Sequence, residues 1–181
     1  MDLHYLCRKK YVGMTNLYLV RHGQTVDNVN QIMQGQTQGQ LTEEGERQAL
    51  QLREELAGKQ MDAYLSSDLK RSVDTCRIIA GERSGEIVQT QLLRERAWGG
   101  FTGRFIPDLK DEAWPDDIEP IEDLRRRARQ FLDFVRKRYP GKNVLAVGHG
   151  IINKAIQAAY HQKAMQEIPR MANAEVRLLK L

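Results

Sequence analysis

The sequence is poor in the residues and segments that build disulfide-linked, zinc-binding or membrane-spanning proteins. It has only two cysteines, Cys7 and Cys76, which form no CxxC pair, and its four histidines do not cluster with other metal ligands. No apolar run approaches the roughly 20 residues that cross a bilayer. The first ten residues, MDLHYLCRKK, include no long apolar stretch, which argues against a secretory signal. We therefore expect a reduced, cytoplasmic protein without a metal site or a membrane anchor.

What is present suffices for one domain. The chain has 181 residues, of which 41% are hydrophobic and 29% charged, and a chain of this size buries roughly 70% of its unfolded surface on folding. The hydrophobic pattern begins near Met14. We therefore predict a single domain over residues 14–181, preceded by an N-terminal extension, residues 1–13, that is a candidate for disorder.

The net charge of +4 is unevenly distributed. Acidic residues crowd positions 108–123, and a basic run, RRRARQFLDFVRKR, follows at 125–138. Within the run, apolar residues recur at helical spacing, which predicts one buried face and a solvated basic face: Leu124, Ala128, Phe131, Leu132 and Val135. A nucleic-acid groove is the weaker interpretation, because the run lacks interleaved aromatic residues suited to base stacking.

Short apolar runs alternate with amphipathic stretches along the chain. Strands are predicted at 17–20, 63–65, 87–88, 143–147 and 174–178, helices at 42–57, 68–80, 119–138 and 150–160, and a long irregular loop at 94–118. This alternation predicts an α/β fold, a three-layer αβα sandwich around a mostly parallel sheet.

Two histidines share one sequence context, LYLVRHG and VLAVGHG, in which a His-Gly pair directly follows an apolar strand. Ligands of open α/β sheets bind at the carboxyl ends of the strands, so we expect His22 and His149 at the same edge. Arg21 adjoins His22, and Arg71 follows the next strand end in SSDLKRS. Arginine forks match phosphate oxygens, which makes this edge a candidate phosphate site.

These segments, taken in order, resemble the histidine phosphatase superfamily, whose best-known branch is the cofactor-dependent phosphoglycerate mutases. The matching elements are RHGQT with Asn28, SSDLKRS, LLRE followed by Trp-Gly-Gly, and VGHG, and they span about residues 16–178. The resemblance implies a phosphoglycerate mutase-like fold and an enzyme that transfers phosphoryl groups.

The resemblance also implies roles for individual residues. His22 would be the nucleophile that forms a phosphohistidine, and Glu95 the acid that protonates the leaving oxygen and later activates water. Arg21, Arg71 and His149 would surround the phosphoryl oxygens. Further contacts to the phosphoryl group or substrate are expected from a second set: Asn28, Gln34, Thr25 and Gly150.

Charge considerations fit these roles. Two arginines and a protonated His149 would supply the positive charge that a metal ion gives to other phosphoryl-transfer enzymes, so we expect no metal and no cofactor. The neighbouring arginines should lower the pKa of His22, which must attack while neutral.

Two departures from the family pattern bear on the substrate. Residues 38–42 read QGQLT where the family often has D-x-P-L-T, and Ile151 replaces a frequent glycine, with Lys154 keeping a basic residue one turn later. The loop between Gly99 and Glu119 is short beside that of the mutases, which favours access of water. We therefore predict a phosphatase for a small phosphorylated metabolite.

Alternatives remain open at this stage. The first is a phosphoglycerate mutase, and the second is a non-catalytic module that binds phosphate or nucleic acid. A homodimer is compatible with the sequence. Four aromatic residues lie in the long loop that would cover the pocket: Trp98, Phe101, Phe105 and Trp114. They favour a substrate with an apolar part, unless they only pack over the domain.

Overall fold

The computed structural model describes residues 13–83 and 85–181. Residues 1–12, almost all of the predicted N-terminal extension, and Ser84 lie outside the described residues. In the described part of the chain, five strands form one sheet in the order β3–β2–β4–β1–β5. Their bounds are β1 Asn16–Arg21, β2 Ala63–Ser66, β3 Ile87–Gln89, β4 Asn143–Gly148 and β5 Val176–Lys180. Strands β1 to β4 pair in parallel, and β5 runs antiparallel to β1 along one edge.

Helices cover both faces of this sheet. Their bounds are α1 Val26–Val29, α2 Glu43–Glu55, α3 Lys70–Ala80, α4 Ile121–Arg138 and α5 Gly150–His161. Side chains of a strand alternate between faces, so Leu17 and Leu19 of β1 pack in the core beneath α4 and α5. Tyr18 and Val20 pack with α2 and α3 on the opposite face. The predicted three-layer α/β sandwich is thereby confirmed.

Helix α4 carries the basic run, and its apolar stripe is buried as predicted. All five residues of the stripe lie in the core, where each of the four larger side chains contributes about 2 kcal/mol through burial. On the outer face, Arg125 pairs with Glu122, Arg126 with Asp123 and Arg136 with Asp133, each three residues away. Most of the basic face is therefore a solvated helix surface on which arginines form ion pairs with acidic residues of the same helix.

The last strand differs from its prediction, because it spans Val176–Lys180 and not 174–178. Ala174 has a left-handed backbone (φ 53°), and its N–H donates to the carbonyl of His22. Ala174 thus belongs to a turn that closes over the end of β1. In this strand Leu178 is exposed and Leu179 is buried.

The loop over residues 94–118 is irregular, as predicted, but it has a small core of its own, formed by Phe101, Leu109 and Ile118. Backbone hydrogen bonds join it to residues 31–33: Ile106 N–H donates to Gln31 and Met33 N–H to Arg104. These two distant segments together build a wall beside the carboxyl ends of the strands.

Candidate active site

The two His-Gly segments meet at one edge of the sheet. Strands β1 and β4 are parallel neighbours, so His22 and His149, which directly follow them, lie side by side with ring centroids 5.1 Å apart. The backbone N–H of His22 donates to the carbonyl of Gly148 (3.1 Å) and extends the strand pairing by one residue. Gly23 fits here because a Cβ would lie 2.4 Å from the carbonyl oxygen of Gly45 in α2.

His22 presents one ring nitrogen to the site. Its Nδ1 lies 2.7 Å from the carbonyl oxygen of Gly23, and a carbonyl can only accept, so Nδ1 carries the proton and Nε2 has the free lone pair. Burial lowers the pKa of His22 well below its usual value, and the positive charges of Arg71 and Arg21 lower it further. His22 is therefore neutral at neutral pH, with a free lone pair on Nε2.

Ser67 determines the tautomer of His149. Ser67 Oγ accepts a hydrogen bond from the backbone N–H of Leu69 (3.4 Å) and lies 2.7 Å from His149 Nε2. The structure describes no other acceptor for the Ser67 hydroxyl, so this hydroxyl donates to Nε2 and leaves the ring proton on Nδ1. That Nδ1 is buried and has no partner among the described residues.

His149 differs from the expectation of a protonated histidine. Burial lowers its pKa well below the usual value, and Arg71, His22 and Arg21 lower it further. His149 is therefore neutral at neutral pH, because a third positive charge beside two arginines in a buried position is unfavourable. It can still donate one hydrogen bond through Nδ1.

The two predicted arginines converge on the same place. Arg71 is only 1% exposed, and its guanidinium is held by the carbonyls of Gly35 (2.8 Å) and Thr37. Burial lowers its pKa to about 10, which leaves it charged at neutral pH. Arg21 donates to the carbonyl of Met171 (2.7 Å). The Nε atoms of both arginines are buried and have no partner among the described residues.

Glu95 lies at the N-terminus of helix α5. Its carboxylate oxygens accept hydrogen bonds from the backbone N–H groups of Ile151 (3.0 Å), Ile152 (3.1 Å) and Arg96 (2.8 Å). Such N–H groups at a helix start have no partner within the helix. They fix the carboxylate beside Arg21 and Arg71, where it borders the same cavity as His22.

Three of the four additional predicted residues line this cavity of about 350 Å³, namely Asn28, Gln34 and Gly150. Thr25 does not line it. Its side chain is fully buried and accepts from the backbone N–H of Asn28, while Asn28 Oδ1 accepts from the Thr25 N–H (3.2 Å). Thr25 therefore caps α1, and its effect on a ligand is indirect, through the position of Asn28.

Among the four loop aromatics, only Trp98 lines the cavity. Phe101 is buried in the core of the loop, whereas Phe105 and Trp114 are largely exposed. Of the four, only Trp98 therefore supports a substrate with an apolar part. Four other apolar residues line the cavity: Ile32, Met33, Ile106 and Ile151. None of them was predicted from the sequence to form an apolar wall.

Two basic residues also border the cavity, Lys154 and Arg170. Lys154 lies one helical turn after Gly150, as its spacing indicated. Arg170 was not predicted, because residues 168–175 have no periodic pattern and reach the site only through the turn that precedes β5. Ser67 was visible in SSDLKRS as a hydroxyl at a strand end, but its partner could not be known without the fold.

Within residues 13–83 and 85–181, no group of three or more His, Cys, Asp or Glu side chains could hold a metal ion. No helix in the same part of the chain is long and apolar enough to span a bilayer. Cys76 is a buried free thiol, and burial raises its pKa to about 12; Cys7 lies outside the described residues.

Known proteins resemble this chain in sequence and in fold. A metal-independent phosphoserine phosphatase of Arabidopsis thaliana is 30% identical over an alignment of 185 positions, gaps included, that covers 93% of this chain and 77% of that protein. A probable phosphoglycerate mutase GpmB of Enterobacter sp. is 34% identical over 152 residues (76% and 71%). The solved structure of YhfR from Bacillus stearothermophilus superposes with a TM-score of 0.84 at 30% identity, covering 91% of this chain and 90% of that one.

The family model of the histidine phosphatase superfamily (branch 1) matches residues 17–181. The match begins in β1, five residues before His22, and extends to the end of the chain, so it includes every strand of the sheet and both His-Gly segments. This chain belongs to the histidine phosphatase superfamily and is an enzyme of its phosphatase type.

Proposed function

We propose that this enzyme hydrolyses phosphate monoesters of small metabolites through a phosphohistidine on His22. One observation carries the proposal: three buried N–H groups of residues around His22, Arg21 Nε, Arg71 Nε and His149 Nδ1, have no hydrogen-bond partner among the described residues. Leaving a buried donor unpaired costs about 1–3 kcal/mol. A phosphoryl group has three oxygens that would accept these hydrogen bonds, so the unpaired donors are explained by a bound phosphoryl group.

The first chemical step transfers the phosphoryl group to the enzyme. The lone pair of His22 Nε2 attacks phosphorus and forms the N–P bond while the bond from phosphorus to the ester oxygen breaks. Glu95, in its acid form, gives its proton to the departing oxygen, which would otherwise leave as a poor alkoxide. Arg21 and Arg71 stabilise the charge on the equatorial oxygens, and His149 adds a neutral hydrogen bond.

The second step regenerates the enzyme. The Glu95 carboxylate takes a proton from a water molecule, whose oxygen attacks phosphorus as the N–P bond breaks. Inorganic phosphate leaves, and His22 recovers its neutral ring with the proton still on Nδ1. The Gly23 carbonyl supports both steps, because its hydrogen bond to Nδ1 stabilises the positive charge that the ring acquires in the intermediate.

The expected substrate is a small phosphate ester. A cavity of about 350 Å³ accommodates a metabolite, and its polar floor and apolar walls suit a short carbon skeleton attached to phosphate. Hydrolysis is proposed ahead of mutase activity because the loop between Gly99 and Glu119 is short. We include a cytoplasmic location in the proposal, in keeping with the free thiol of Cys76. The oligomeric state, including a homodimer, is to be measured by light scattering.

The test is phosphate release from a panel of phosphomonoesters, run beside a mutase assay with 3-phosphoglycerate primed by 2,3-bisphosphoglycerate. We expect phosphate release that is lost, by at least about 1000-fold, in His22→Ala. His161→Ala, a change at an exposed histidine of α5, is the matched control and should keep full activity. Acid-labile, base-stable label on the protein after a brief reaction with ³²P-substrate would identify the phosphohistidine.

Other outcomes would contradict the proposal. Interconversion of 3- and 2-phosphoglycerate with little phosphate release would make the enzyme a mutase. Full phosphatase activity in His22→Ala would remove the covalent mechanism, and binding of phosphate esters without any turnover would indicate a non-catalytic module.

Metal independence is a separate prediction. Because Arg21 and Arg71 supply the positive charge at the phosphoryl site, we expect EDTA treatment to leave kcat/KM unchanged. Re-addition of Mg²⁺ or Zn²⁺ should not raise it. A rate that falls on chelation and recovers with one metal would show that arginine does not replace a metal here.

A further inference from the structure

Two cations line the candidate site without a partner. The side chains of Lys154 and Arg170 make no hydrogen bond or ion pair with any residue that the structure describes, and both border the cavity that contains His22. Other basic residues of the same region are paired: Arg94 with Asp68 (2.5 Å), Arg127 with Glu119 (2.8 Å) and Arg177 with Glu175 (2.7 Å). The contrast sets Lys154 and Arg170 apart as charges that are available to a ligand.

Neither Lys154 nor Arg170 belongs to the residues that are proposed to bind the phosphoryl oxygens. Lys154 follows Gly150 by four residues on the same face of α5, about 6 Å further along the helix axis. Arg170 lies in the segment before β5, and its positive charge lowers the pKa of Arg21, so the two guanidinium groups are electrostatic neighbours. A ligand with its phosphoryl group on Arg21 and Arg71 would therefore place its leaving group in the cavity that Lys154 and Arg170 line.

A second cavity of about 480 Å³ adjoins the first at this point. The two cavities share Arg21, Asn28, Ile32, Ile106 and Arg170 in their linings. Arg170 thus stands at the junction, where the leaving group of a bound ester would pass from one cavity toward the other.

The charges of the two cavities are unbalanced. Four cationic side chains line them, against the carboxylates of Glu95 and Asp27, and Glu95 is already bound by backbone N–H groups. A monoester of a neutral alcohol would engage only the phosphoryl-binding arginines. An ester with a second negative charge on its leaving group would engage Lys154 and Arg170 as well.

We propose that Lys154 and Arg170 form a subsite for a second anionic group, so that the preferred substrates are phosphate monoesters whose leaving group carries a carboxylate or another phosphate. This inference rests on the proposed phosphatase function and specifies its substrate class. Arginine binds either group through two parallel hydrogen bonds, whereas the lysine acts as a point charge.

The experiment compares substrates that differ only in the second charge. In 3-phosphoglycerate a carboxylate stands where glycerol 3-phosphate has a hydroxymethyl group, and propane-1,3-diol bisphosphate adds a phosphate to propane-1,3-diol monophosphate. In at least one of the two pairs, we expect kcat/KM to be at least about tenfold higher for the ester with the second anionic group than for the ester without it. Whichever pair shows the preference identifies the second group as a carboxylate or as a phosphate.

The variants Arg170→Gln and Lys154→Gln should each lower that preference about tenfold, mainly through KM of the doubly charged substrate. Arg129→Gln and Lys163→Gln remove one positive charge each at exposed positions outside both cavities and should leave the preference unchanged. Thermal melting of all four variants checks folding. If a variant lowers kcat/KM by the same factor for both members of a pair, the subsite is overturned. Such a result indicates damage to the fold or a nonspecific attraction of anions.

The failure of this inference is distinguishable from failure of the proposed function. Phosphate release that depends on His22 but shows no preference in either pair would keep the phosphatase and overturn the subsite. Should no ester be hydrolysed, calorimetric binding of 3-phosphoglycerate and glycerol 3-phosphate to His22→Ala still decides the subsite. Tighter binding of 3-phosphoglycerate that is lost in Arg170→Gln supports it, and equal binding of the two esters overturns it.

Discussion

At the scale of single residues, the site depends on which ring nitrogen of each histidine carries the proton. The Gly23 carbonyl puts the proton of His22 on Nδ1, and the Ser67 hydroxyl does the same for His149. In the proposed mechanism the two rings therefore have opposite roles toward a phosphoryl group: His22 offers a lone pair, and His149 offers a hydrogen bond. Neither task requires a charged ring before the reaction begins.

The role of Ser67 as a positioning residue gives a prediction. In Ser67→Ala the proton of His149 is free to move to Nε2, which removes the donor at Nδ1, so we expect kcat to fall about tenfold with little change in KM. The tautomer is read from the ¹⁵N chemical shifts of the His149 ring. Ser67→Thr keeps the hydroxyl and should restore both the shifts and kcat. Loss of activity without a change of tautomer would show that Ser67 matters only for packing.

Glu95 gives a second prediction at this scale. In Glu95→Gln no proton is available for the departing oxygen, so the rate with alkyl phosphates should fall by about 100-fold or more. Formation of the phosphoenzyme from p-nitrophenyl phosphate should fall much less, because p-nitrophenolate leaves without a proton. The burst of p-nitrophenol in rapid-mixing experiments measures that step alone. Equal losses on both substrates would show that Glu95 is not the acid.

Individual roles were only partly predictable from the sequence. His22 and His149 were predictable together because each follows an apolar strand with a glycine after it, and strand ends of a parallel sheet meet. Thr25 could not be told from a ligand residue, because a threonine that caps a helix and one that binds phosphate occur in the same kind of loop. The neutral state of His149 depends on the burial of its ring and on charged residues that other segments of the chain bring close to it.

At the scale of elements, the contacts of one side chain, Arg127, join helix α4 to the segment that contains Glu95. Arg127 binds both carboxylate oxygens of Glu119 and donates to the carbonyls of Leu92 (3.1 Å) and Arg94 (2.8 Å). Glu119 in turn accepts from the backbone N–H of Ala97 (3.2 Å). The helix thereby holds both ends of the stretch that contains Glu95.

We expect Arg127→Ala to lower the free energy of unfolding by about 3 kcal/mol, since it leaves the partly buried Glu119 carboxylate and two carbonyls without their partner. Arg126→Ala, one residue earlier on the exposed face, removes a single surface ion pair and should cost less than about 1 kcal/mol. Urea unfolding of the two variants measures both values. Equal losses would mean that the Arg127 contacts add nothing beyond a surface pair.

Elements with a strong apolar period were predictable, and those that depend on contacts were not. The stripe of α4 and the buried run of β1 are fixed by their own side chains. Strand β5 begins two residues later than predicted, because the N–H of Ala174 donates to the carbonyl of His22, a partner 152 positions away in the chain, and keeps Ala174 in a turn. Helix α1 has only four residues and no buried side chain, so the pattern of hydrophobic residues could not indicate it.

At the scale of the whole molecule, two buried neutral histidines make stability depend on pH. In the unfolded chain a histidine has a pKa of about 6.5, whereas in the folded protein the pKa values of His22 and His149 lie well below that. Below pH 6.5 the unfolded chain binds protons that the folded chain does not, so the free energy of unfolding falls as the pH falls. Above pH 6.5 these two residues have no effect on its slope.

The expected slope approaches about 2.7 kcal/mol per pH unit for two sites, and urea unfolding between pH 7.5 and 5.5 in a phosphate-free buffer measures it. In His22→Ala the slope should fall by about half, whereas His161→Ala, at an exposed position, should leave it unchanged. A wild-type slope near zero in this range would mean that the buried histidines accept protons in the folded state.

The wall beside the site has a consequence for how such an enzyme diversifies. His22 and His149 directly follow strand ends and Arg71 lies in the first turn of α3, whereas the wall is formed by residues 31–33 and 103–106, which hydrogen-bond to one another. Mutations in these two segments can therefore accumulate without disturbing the sheet or the reacting groups. Exchange of the paired segments between relatives would carry over a choice of substrate while the reaction stays the same, so new specificities can evolve on one inherited chemistry.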